Sequence, residues 1–147
     1  MNDLMIMLGW FGVYAPVGLG ALGSAIGVAV AGQAAIGAML ETEGGYGRFV
    51  GASAIPSSNV IYGIVVMFSL QRAVTVENGG ALFAVGGLLG VALMVTGVWQ
   101  GRSLASAIAA SKNKPEIFGL ALAPAAIVEG FAVFAFVFAL VLAGGIA

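Results

Sequence analysis

The sequence predicts an all-α membrane protein of four transmembrane helices folded as two antiparallel hairpins. Three observations carry that expectation. Of the 147 residues, 61% are hydrophobic and 7% charged, with a mean hydropathy of +1.13, whereas a soluble domain carries about 25% charged residues. Four long apolar stretches, 9–40, 49–71, 80–111 and 116–145, each exceed the roughly 20 residues needed to cross a bilayer core. The breaks ETEGGYGR (41–48), RAVTVENGG (72–80) and SKNKPE (111–116) are short and polar, so successive helices must be antiparallel neighbours.

Each span reads as helix rather than barrel strand, because Ala, Leu, Val, Ile and Met run on without polar/apolar alternation. Residues 1–75 form the first hairpin and 76–147 the second. The N-terminal MNDLMIM carries an acid and no basic n-region, so the first apolar stretch is expected to be kept rather than cleaved. Asp3, Glu41, Glu43, Glu77, Glu116, Arg48, Arg72, Lys112 and Lys114 all fall at helix ends or in breaks. Arg102 lies inside the third stretch, with a side chain long enough to extend towards an interface. The 41–48 and 111–116 turns share one side and hold three of the basic residues. The excess of positive charge places that side in the cytoplasm and both termini outside. Absence of Cys and His excludes disulfides, the common zinc sites and histidine acid–base chemistry. A net charge of −1 argues against nucleic acid as a partner.

One charge does not fit the pattern. LAPAAIVEGFAVFAFVF (122–138) holds Glu129 near its centre, about 20 Å along the helix at about 1.5 Å per residue. An acid at mid-membrane is costly and by default functional. An interhelical hydrogen bond is the plainer role, although Ser or Thr would serve it more cheaply.

Other polar residues are expected at the same depth. Folding about the SKNKPE turn brings Gln100 level with Glu129, and folding about the 41–48 turn brings Ser58 and Asn59 to that level. Tyr62, one turn further on, can reach the layer with its hydroxyl. The donors are all oxygen, which suits a hard cation. A single carboxylate suits a monovalent one, since the pair is then neutral towards lipid. Pro56 lacks an N–H and clashes with the preceding turn, so Ala52 is expected to lose its helical partner and carbonyls near Ser58 to become free as ligands.

The chain also repeats itself. GRFVGASAIPSSNVIYGIVVMF (47–68) and PEIFGLALAPAAIVEGFAVFAF (115–136) align on Pro56 and Pro124, which sets Ile61 against Glu129. Small residues line one face of the first helix (Gly20, Ser24, Gly27, Ala31, Ala35, Ala38) and of the third (Gly90, Gly97, Gly101, Ala105). Such faces let backbones approach closely, so these two helices are expected side by side in an inner wall, with the second and fourth outside. Phe131, Phe134, Phe136 and Phe138 suit a face towards lipid or a partner.

IPSSNVIYG (55–63), WQGR (99–102), KNKPE (112–116) and AIVEGFA (126–132), with the small-residue first helix, resemble the duplicated proteolipid, the c/K-type rotor-ring subunit, of V-type rotary ATPases. The likeness spans essentially the whole chain and is closest to the bacterial sodium-translocating version. It implies a closed homo-oligomeric ring that carries Na+, or alternatively H+, past a separate stator subunit bearing an arginine. It also implies a central stalk at the cytoplasmic turns, and ATP chemistry on partner chains rather than on this one, which holds no GxxxxGK[ST] loop. On this likeness Glu129 is the essential carboxylate, Gln100 an amide ligand, Ser58 the hydroxyl ligand where Thr is usual, Ile55 a backbone-carbonyl ligand, and Tyr62 the partner of the carboxylate. Asn59 departs from the pattern, standing where that version has the longer Gln. The implied location is a bacterial or archaeal cell membrane, with a vacuolar membrane as the alternative.

Two other classes fit parts of the sequence. A small proton-coupled exporter also uses a lone membrane Glu but needs an aromatic-lined substrate cavity. A structural or pore-forming four-helix protein needs no level polar layer.

Overall fold

A computed structural model describes residues 1–147. Four helices span the molecule, labelled α1 (Asn2–Leu40), α2 (Tyr46–Leu70), α3 (Val76–Asn113) and α4 (Pro115–Ala143). There is no strand. α1 begins seven residues earlier than the apolar stretch suggested, because MNDLMIM continues the helix. α3 also starts inside the expected break. Thr75 accepts the backbone N–H of Asn78, and the Asn78 side chain accepts the N–H of Thr75, a reciprocal cap that draws VENGG into the helix. Gly45, at φ 74°, makes the left-handed turn between α1 and α2, a conformation open to glycine at little cost.

The helices form two layers. α1 and α3 run side by side, α2 lies along the groove between them, and α4 packs against α3 and α2 without touching α1. The small-residue faces make the first of these contacts. Gly12 meets Gly86, Gly23 meets Gly97 and Gly27 meets Gly101, with the same stagger each time, so α1 and α3 are parallel and in register. A Cβ on Gly97 would stand 2.7 Å from the Gly23 carbonyl carbon, closer than atoms can pack. Gly63 performs the same service for α2, lying against the Pro16 carbonyl of α1.

The two hairpins are tied at both ends. At one end Lys112 pairs with Glu41 at 2.7 Å, and the Arg48 guanidinium lies 4.7 Å from the centre of the Phe49 ring and 5.5 Å from that of Phe118. At the other end Arg72 donates to the carbonyls of Ser69, Ala143 and Ile146. One cation thereby caps the C-termini of α2 and α4, where the helix dipoles favour positive charge. Arg102 is exposed on α3 and folds over Trp99, 4.8 Å from the ring centre, where the aromatic face attracts it. Phe131, Phe134 and Phe138 point outward, but Phe136 packs inward on Tyr62 with ring centres 5.1 Å apart. The expectation of an all-outward aromatic face is corrected at that residue.

Gly97→Val should separate α1 from α3 and destabilise the fold by about 3 kcal/mol or more, since overpacking costs about 1–3 kcal/mol even where side chains can yield. Gly44→Ala, with open space around it, should stay within about 0.5 kcal/mol of the parent; thermal unfolding in detergent compares the two. Arg72→Lys should not replace Arg72, because a lysine ammonium lacks the planar fork that reaches carbonyls of two helices. Both Arg72→Lys and Arg72→Ala should lower the same melting temperature.

Candidate ion-binding site

The site begins with a helix that is interrupted. α2 is α-helical over Tyr46–Ala54, tightens to a 3-10 turn at Ile55–Ser57, and resumes over Ser58–Leu70. Pro56 imposes the change, since it cannot donate to the preceding turn. The expected orphan at Ala52 does not arise. The N–H of Ile55 donates to the Ala52 carbonyl one residue closer than in an α-helix, so the tighter turn absorbs the loss.

The carbonyl of Pro56 is also taken up. Ser24 of α1 donates its hydroxyl to that carbonyl at 2.8 Å and accepts the N–H of Val60 at 3.1 Å. These are the two groups that would bond each other in an unbroken helix, so the Ser24 hydroxyl is spliced into the ladder of α2. The Ile55 carbonyl accepts the N–H of Ser58.

Above the break lies the acid. Glu129 is half-buried on α4. Tyr62 of α2 donates its hydroxyl to Oε1 at 2.8 Å, and Gln100 of α3 donates Nε2 to Oε2 at 2.8 Å. Both oxygens of the carboxyl group are therefore held by side chains from two other helices. Behind Gln100 the chain of bonds continues. Asn59 donates Nδ2 to Gln100 Oε1 at 3.3 Å and to the Pro56 carbonyl at 3.3 Å, while Thr96 donates to Asn59 Oδ1 at 2.8 Å. Asn59 and Gln100 are wholly buried.

Of the residues expected at this level, Glu129, Gln100 and Tyr62 meet directly. Asn59 stands one residue back and touches Gln100 rather than the carboxylate; it is the shorter amide, and its nitrogen is drawn down to Pro56. The Ser58 hydroxyl is buried and has no hydrogen-bond partner, one turn below Tyr62 on the same helix. Thr96 and Ser24 join the polar layer without having been expected in it. Thr96 sits one turn before Gln100, so it lies on the same face of α3, and Ser24 is the one hydroxyl on the small-residue face of α1. Those spacings are visible in the sequence, but the partners lie 32 to 37 residues away.

A carboxylate halfway along an apolar span, bonded from two other helices in a twofold hairpin, defines a membrane proteolipid with a single ionisable site. Residues 11–70 and 83–142 each match the C-subunit family of ATP synthases, one match to each hairpin. The chain belongs to that family, in duplicated form. It is similar to A-type ATP synthase subunit K of Methanocaldococcus jannaschii, being 32% identical over 122 residues, which cover 81% of this chain and 56% of that protein. The chain thus spans about half the length of that relative.

Tyr62→Phe removes one of the two donors on Glu129. A hydrogen bond to a charged group is worth about 1.5–3 kcal/mol, so its loss should raise the rate of carbodiimide modification of Glu129 about tenfold or more at fixed pH, since carbodiimide attacks the protonated acid. Phe11→Leu, far from the acid at the opposite end of α1, should leave that rate unchanged. Mass spectrometry of the modified chain reads both.

Proposed function

We propose that the chain is a subunit of a membrane rotor ring in a rotary ATPase or ATP synthase, and that it carries one cation at Glu129. The observation behind this reading is the lone acid on α4, gripped by Tyr62 and Gln100 yet open on its outer side. An ionised carboxylate at that depth is expensive. Neutralised by a monovalent cation it can face lipid, and stripped of the cation it needs a countercharge. A stator arginine on another chain supplies that countercharge as identical subunits pass in a closed ring. The turns at 41–48 and 111–116 grip the central stalk, and ATP is turned over on partner chains. Moving one charge across 100 mV is worth about 2.3 kcal/mol, so several sites are summed for each ATP in either direction. The kinship with a subunit named for ATP synthase supports the rotor role, and the cell membrane of a bacterium or archaeon is the location that goes with it.

Sodium is the ion this reading favours. The Ser58 hydroxyl is a buried oxygen without a partner, and with the Glu129 carboxylate, the Gln100 amide oxygen and the second lone pair of the Ile55 carbonyl it makes the kind of oxygen set that hard monovalent cations take. A proton is the second reading, and one observation favours it. Both Glu129 oxygens already face donors, and a proton needs no ligand beyond the carboxyl itself.

Carbodiimide modification of Glu129 at fixed near-neutral pH, with and without Na+, separates the two. Sodium should protect the residue, and Glu129→Gln should abolish both labelling and ion-coupled ATP turnover in the assembled complex. Labelling indifferent to Na+ rejects sodium in favour of the proton. A purified species no larger than a dimer of this 14.6 kDa chain rejects the ring.

A further inference from the structure

The bonds behind Glu129 have a direction, and one carbonyl sets it. A main-chain carbonyl only accepts, so the Pro56 oxygen, 3.3 Å from the Asn59 amide, fixes which end of that amide is nitrogen. The same nitrogen faces Gln100, which must answer with its oxygen and so presents its own NH2 to Glu129. In this arrangement Gln100 serves a bare carboxylate well. It cannot serve a cation, which needs the amide oxygen. Gln100 cannot simply turn over by itself, because its NH2 would then meet the NH2 of Asn59, and both residues are fully buried, out of reach of rescue by water.

The far end of the line can go either way. Thr96 Oγ1 lies 2.8 Å from Asn59 Oδ1 and also 2.8 Å from the Ala92 carbonyl. Its single proton can serve one of them at a time. If it turns to Ala92, the Thr96 oxygen is free to accept.

We infer that Gln100, Asn59 and Thr96 form an amide relay whose polarity reverses when a cation sits on Glu129, so that Asn59 and Thr96 are positioning residues for an ion they never touch. The inference rests on the reading of Glu129 as a cation site. In the reversed state Gln100 turns its oxygen to the ion and donates its NH2 to Asn59 Oδ1. Asn59 donates to Thr96 Oγ1, and the Thr96 proton rotates to the Ala92 carbonyl. No relay group is left without a partner. The Asn59 oxygen then stands where its nitrogen was, about 3.3 Å from the Pro56 carbonyl, a contact between two acceptors that opposes the reversal and that the cation's bond to the Gln100 oxygen must outweigh, while the Pro56 carbonyl keeps the Ser24 hydroxyl at 2.8 Å.

Infrared difference spectroscopy tests this on the intact chain, assembled in lipid and grown with isotope-labelled asparagine, as NaCl replaces choline chloride. The relay requires two sets of bands to move together: the Glu129 carboxylate and the labelled amide carbonyl of Asn59. Asn59→Leu assigns the amide band by removing it. Should that variant fail to assemble, Asn59→Gln moves the amide out of the labelled residue while keeping its hydrogen bonds. Thr96→Ser should keep the amide shift, and Thr96→Val, which can neither donate nor accept, should lose it. Carboxylate bands that move while the amide band stays still overturn the relay and leave the ion site standing. If neither moves, the ion-site reading falls and the relay with it. An amide shift that survives Thr96→Val removes Thr96 from the relay.

Discussion

The structure depends on keeping one ionisable group satisfied halfway along an apolar span. An unpartnered carboxylate there would cost several kcal/mol, a large fraction of the stability of an ordinary domain. No neighbouring cation meets this one; the salt bridge of the chain lies at Lys112 and Glu41, far along the helices. Two neutral donors hold it instead, Tyr62 on α2 and Gln100 on α3. That choice has a consequence for packing. Short side chains and amides reach a carboxylate only if their helices come close, and the close approach is supplied elsewhere, by glycine. Gly63 seats α2 on the Pro16 carbonyl and Gly97 seats α3 on Gly23, within a turn of Tyr62 and Gln100 respectively. The residues that carry no chemistry thus set the reach of those that do.

The two layers divide the labour. α1 and α3 give up side-chain volume for backbone contact and become a rigid parallel pair. α2 and α4 carry the tyrosine and the acid, and α4 keeps most of its phenylalanines on an exposed outer face. The duplication is therefore not a symmetric one in function. Where the second copy has Glu129, the first has Ile61, which is 56% exposed and has nothing to offer an ion. The first hairpin contributes Tyr62 and Asn59 to the site, and the second contributes the charge together with Gln100 and Thr96.

Much of this was legible in the sequence, for identifiable reasons. Span number and hairpin order follow from apolar length and polar breaks, which are local properties. The meeting of Gln100 with Glu129 follows too, since a tight turn makes depth equal to distance from the fold point. What depth cannot give is azimuth. Asn59 and Ser58 are adjacent in the chain and lie at the expected level, yet point to different neighbours: Asn59 to Gln100, Pro56 and Thr96, and Ser58 to none. The 3-10 turn at Ile55–Ser57 rotates the helix just before them, and no count of residues reveals that rotation. Local compensation was equally hidden. The loss at Ala52 looked like a free carbonyl in the sequence and proved to be a tightened turn. Helix starts escape the apolar pattern where a cap such as Thr75 with Asn78 overrides polarity.

Ser24 shows how such a repair can bind elements mechanically. Beyond the tightened turn at Pro56, the ladder of α2 is completed by a hydroxyl that belongs to α1. α2 cannot straighten, unwind or slip lengthwise at that joint without parting from its splint, so a push delivered to α1 arrives at the tyrosine as a displacement rather than being lost in a soft hinge. A proline usually makes a helix pliable; here a borrowed oxygen turns the weak point into a coupling.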